Sequence, residues 1–144
     1  MTGSDKALVI LLRIFGVTAL FAVIAVIMPL SWMAAVHRWL GLGEMPTGPI
    51  VEYLARSLST LAAFIGALCL VLASDVERYR PLARFLGAAF ALMSPVAVGI
   101  DLAAGMPSWW FAVDGVAGIG VGTLLFALAR PRSSQGGTAC KEDE

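Results

Sequence analysis

Charge is scarce in this chain. Asp, Glu, Lys and Arg make up 14% of its 144 residues, against roughly 25% in soluble domains. Histidine occurs once, at His37, so one copy cannot supply both axial ligands of a bis-histidine haem. Cysteine occurs twice, at Cys69 inside an apolar run and at Cys140 in a polar tail. That placement gives no disulfide framework and no CxxC motif. Ten basic residues balance ten acidic ones, so net charge offers no case for a nucleic-acid partner. No nucleophile elbow, P-loop or dinucleotide fingerprint occurs. The run GIGVG, Gly118 to Gly122, lies in an apolar helix without the strand that a phosphate loop requires.

Apolar residues are abundant, at 59%. They gather into runs long enough to cross a bilayer, which takes about 20 residues. The fold class expected is all-α: an integral membrane four-helix bundle, with spans at about 7–28, 50–73, 82–100 and 109–129. Residues 1–132 form one membrane domain, and 133–144 form a polar, flexible tail. The first apolar run exceeds the roughly 7–15 residues of a signal-peptide core and no clean A-x-A site follows it, so it is expected to stay as a span. Arg13 interrupts it, with a stem long enough to snorkel to the near interface. Pro29 closes it.

Residues 30 to 49 are too short to span. Trp32, Val36, Trp39 and Leu40 fall on one helical face, so a short interfacial amphipathic helix is expected over about 31–41. His37 lies off that stripe and reads as a polar-face residue. Residues 74 to 84 form the most charged loop, with Pro81 suited to the first turn of the third span. Ser94-Pro95 should kink that span. Trp109-Trp110 anchor the fourth span at an interface. In it Asp114, Gly118 and Gly122 repeat every four residues, a small-residue face suited to close packing against another helix or another chain.

Four spans put both termini on one side with the 74–84 loop. That side holds Lys6, Arg13, Arg78, Arg80, Arg84, Arg130, Arg132 and Lys141; the other holds Arg38 and Arg56. Eight bases against two place the termini in the cytoplasm, with a bacterial inner membrane as the expected location.

Chemistry concentrates at the opposite rim. Glu52 and Arg56 are four apart on one helix face and can pair. Asp101 and Asp114 end the third span and begin the fourth. Charges within spans are costly and seek partners or water. The expected site is therefore a polar cluster of Glu52, Tyr53, Arg56, Thr60, Asp101 and Asp114, with Arg56 at its centre and Ser57 nearby. The structural alternative is an ion pair that glues helices together. His37, Glu52, Asp101 and Asp114 include metal-ligating types, but no spacing motif joins them and no metal site is assigned.

The four-span layout with short loops, and LLRIFG at Leu11 to Gly16 with its arginine closely followed by glycine, resemble the DoxX-like group of small bacterial membrane proteins. That resemblance implies an accessory or quinone-linked role at the membrane. The leading functional reading is a non-catalytic accessory subunit or a binder of a small ligand, lipid or quinone, at an outward-facing polar cluster. The alternatives are an oligomeric channel or transporter component, and a membrane enzyme acting on lipid through Asp or Glu. No catalytic residue is assigned, and no cofactor is named by the residues. The partners expected are membrane lipid and either further copies of the chain or a larger membrane complex.

Overall fold

The computed structural model describes residues 3–130. Those residues are all-helical, in the order α1 (Gly3–Leu20), α2 (Val23–Ile27), α3 (Leu30–Trp39), α4 (Pro49–Ser74), α5 (Val76–Ala103), α6 (Ser108–Gly115), a π-helical segment (Val116–Val121) and α7 (Gly122–Leu128). Four stretches are long and apolar enough to cross a membrane: Gly3–Ile27, Pro49–Ser74, Val76–Ala103 and Ser108–Leu128. In three of them only 11% of the most apolar window is buried inside the chain. Large side chains such as Ile14, Leu58, Phe64, Phe85 and Leu92 point outward. A water-facing surface rarely carries so much contiguous apolar area.

The first expected span runs on through α2 to Ile27, where Met28 turns extended before Pro29. The third begins earlier than its apolar run. Asp75 caps α5 by accepting from the Arg78 amide at 3.1 Å, so VERYR is helical and the junction between α4 and α5 is Asp75 alone. Residues 76–84 are thus helix, not the charged loop expected from composition. Pro81 sits inside α5, past its first turn. A polar, well-capped first turn is helical for local reasons that hydropathy does not register. The α3 helix forms, but its Trp32 and Trp39 are exposed. Nδ1 of its His37 lies 3.1 Å from the Gly43 carbonyl, where as an N–H it donates and holds the turn that follows. The polar tail at 133–144 lies outside the described residues.

The helices pack as two hairpins. One joins α1 and α2 to α4; the other joins α5 to α6, the π-helical segment and α7. Each crosses at a pair of glycines. A Cβ on Gly66 would lie 2.7 Å from the Gly16 carbonyl oxygen and 2.6 Å from the Leu20 nitrogen. A Cβ on Gly87 would lie 2.8 Å from the Gly122 carbonyl oxygen and 2.6 Å from the Phe126 nitrogen. Backbones this close gain dispersion contacts, which matter most in lipid, where burying apolar surface between helices gains little. Each entering helix also carries an arginine three residues before its glycine: Arg13 before Gly16, and Arg84 before Gly87.

The hairpins meet mainly through α1 with α7, α4 with α5, and α1 with α5. Their shared core holds Leu8, Leu12, Cys69, Leu72, Val76, Ala83, Leu125 and Ala129. All of these lie toward the end that carries Asp5, Asp75 and Leu128. This is the near end. Midway, Phe15 meets Phe90 edge to face, with centroids 5.2 Å apart. Toward the far end, α2 packs on α4 and α6 packs on α5, each within its own hairpin.

Candidate functional site

The residues expected to form one polar cluster fall into two groups on different hairpins. The first centres on Arg56. Its Nε and Nη2 donate to Glu52 Oε1 at 3.0 and 2.9 Å. Its Nη1 donates to the Val26 carbonyl, and its Nη2 reaches the Met28 carbonyl at 3.3 Å. Those carbonyls end the first span, where no further turn supplies N–H donors. Arg56 therefore caps the α1–α2 span, and its charge suits the negative end of that helix. Glu52 holds the guanidinium in place. Thr60 turns inward along its own helix, its hydroxyl donating to the Arg56 carbonyl at 2.8 Å. Tyr53 is 67% exposed. Glu52 is the carboxylate within ion-pair distance of Arg56.

The second group is Asp101 with Asp114. The Asp114 carboxyl lies beside that of Asp101, and Asp101 Oδ2 is buried with no hydrogen-bond partner among the described residues. Carboxylates only accept, so the pair needs a proton or an outside donor to complete its bonding. Asp114 also lines a cleft of about 270 Å³ between the hairpins, open to one side, with Phe15, Phe90, Met93, Ser94 and Gly118 among its walls. Phe15 comes from the first hairpin and the rest from the second.

Two sequence features shape that cleft. Ser94 is buried at 6% exposure and donates to the Phe90 carbonyl at 2.8 Å. Its hydroxyl occupies the notch left by Gly118, where any Cβ would overlap it. Beyond Asp114 the helix widens into the π-helical segment. Such widening is a recurrent feature of functional positions, and here it changes the four-residue register expected for Asp114, Gly118 and Gly122. Gly122 still packs on α5, since a Cβ there would lie 2.5 Å from the Ala91 nitrogen. The small-residue face of the fourth span is thus used within the chain, against the third.

Three further side-chain contacts lie at the near end. Asp5, 1% exposed, pairs with Arg80 at 2.5 Å, and Arg80 Nη1 also reaches the Leu128 carbonyl at 3.5 Å. Seventy-five residues separate the two partners, and no local spacing announces such a pair. Arg84 stacks over Phe126, its guanidinium carbon 4.5 Å from the ring centroid. Comparison with known proteins gives no match to a family model, a curated protein or a solved structure.

Proposed function

We propose that this chain is an integral membrane protein of a bacterial inner membrane that binds, without catalysing a reaction, a small amphiphile in the cleft between its two hairpins. In this reading the four spans form a loosely closed four-helix bundle, both termini are cytoplasmic, and α3 lies along the outer interface with Trp32 and Trp39 in the headgroups. The excess of bases at the near end supports that orientation. The far end, with the cleft, then lies in the outer half of the bilayer.

The observation that carries the reading is Asp114, beside Asp101, in the wall of a partly open and largely apolar cleft. An amphiphile with an O–H or N–H headgroup would enter from the lipid, place apolar carbons against Phe15, Phe90 and Met93, and donate toward the carboxyl pair. A lipid bearing a hydroxyl or ammonium headgroup fits these demands. So does a quinol, the ligand class that the resemblance to DoxX-like proteins implies. Ser94 and Gly118 shape the wall without obstructing the entry. Arg56 and Glu52 act structurally, finishing the first span.

Native mass spectrometry of the purified chain tests this. One amphiphile per chain should be retained, and lost on Asp114→Leu or when Ala97→Phe fills the cleft. Retention unchanged in both variants would overturn the proposal.

A further inference from the structure

A second groove lies at the near end, along the outer seam between α5 and α7. It measures about 490 Å³, and its lining includes Arg80, Arg84, Phe85, Ala88 and Phe126, with Glu77 toward the start of α5. Its surface is overwhelmingly apolar apart from the charged groups. The two arginines differ in what surrounds them. Arg80 is neutralised by Asp5. Arg84 has no carboxylate within ion-pair distance among the described residues. It lies over the face of Phe126 instead.

Arg84 is eight residues into α5, so it stands about 12 Å from the start of that helix at 1.5 Å per residue. A lone cation at that depth, on the surface of an apolar helix, requires an anion or access to water. Stacking on Phe126 holds the guanidinium in place and leaves its N–H edge available for the planar, two-point contact that arginine makes with phosphate oxygens. Phe85, next to Arg84, and Ala88, one turn further along α5, continue the groove where an acyl chain would lie.

The geometry points to an anionic phospholipid bound here, its phosphodiester against Arg84 and one acyl chain along Phe85, Ala88 and Phe126. The inference rests on the membrane reading above and not on the far-end cleft. Arg13, the counterpart of Arg84 in the first hairpin, does not share the property. Its neighbouring groove holds Asp75 in addition to Glu77 and the paired Asp5, and the extra carboxylate disfavours a phosphate there.

The test is lipid titration of the detergent-purified full chain, read by native mass spectrometry with phosphatidylglycerol and phosphatidylcholine. Phosphatidylglycerol should bind more tightly, by roughly fivefold for one interfacial cation. Arg84→Gln should abolish that preference, Arg84→Lys should keep part of it, and Arg13→Gln should keep all of it. Thermal unfolding without added lipid checks that Arg84→Gln remains folded. Equal binding of the two lipids, or equal loss in Arg84→Gln and Arg13→Gln, would overturn the proposal. Either result would leave the far-end cleft unaffected, because its ligand is read through Asp114 and Ala97 variants.

Discussion

Arg80 donates to Asp5 across 2.5 Å, joining the first turn of α1 to the second turn of α5. The side chains are 12% and 2% exposed. The same guanidinium approaches the last carbonyl of α7, that of Leu128. One cation thus connects three of the four spans at the near end, where the shared core lies. Removing one partner takes the buried counterion from the other, which typically costs ~3–5 kcal/mol. Arg80→Met and Asp5→Leu should each destabilise the chain by about that much in denaturant unfolding followed by tryptophan fluorescence. The double variant should lose clearly less than the sum of the two. Strict additivity would show that the contact contributes no coupling.

The paired glycines make a steric prediction. Gly66→Ala and Gly87→Ala each push a methyl to within 3 Å of a facing backbone, where neither side can yield cheaply. Overpacking of this kind costs about 1–3 kcal/mol. Gly120 has open space where its Cβ would go, so Gly120→Ala should be neutral or slightly stabilising. Thermal unfolding of the three variants in one detergent separates crowding from a general effect of losing glycine.

Arg56→Ala should act locally. It leaves the Val26 and Met28 carbonyls without their donor, and hydrogen bonds from charged groups contribute ~1.5–3 kcal/mol each before solvent screening. At 32% side-chain exposure the smaller figure is the better guide. Hydrogen exchange should quicken over residues 22–28, with the near end unchanged. Glu52→Gln should have a weaker effect of the same kind, because both carbonyl contacts remain.

Orientation is open to labelling. In a chain with Cys69→Ala and Cys140→Ser, a cysteine at Arg78 should react with a membrane-impermeant maleimide only after the cells are opened. A cysteine at Gly43 should react in intact cells. The reverse pattern would turn the chain over and place the cleft in the inner leaflet.

Much of this architecture was legible in the residues. Long apolar runs marked all four helices long enough to cross a membrane, because a bilayer-length helix is a statement about composition. The Glu52–Arg56 pair was legible because i,i+4 spacing is local. What it holds was not, since Val26 and Met28 belong to another helix. Asp5 precedes the first expected span, and Arg80 falls within the charged loop expected at 74–84. Only the fold brings them together across seventy-five positions. The glycine crossings had a faint signal: the R-x-x-G spacing at Arg13–Gly16 returns at Arg84–Gly87. The widened turn beyond Asp114 had none, since a π-helical segment depends on how α5 packs against it.

Covalent capture of the amphiphile tests the central claim most directly. The chain, in native membranes, would be irradiated with a diazirine-bearing quinone or phospholipid, digested, and its labelled peptides mapped. Label should concentrate on Phe90 to Ala97 and near Ala117, and should fall sharply in Ala97→Phe. Even labelling of every lipid-facing surface, with Leu58, Leu61 and Phe64 marked as strongly as Met93, would contradict a bound ligand in the cleft.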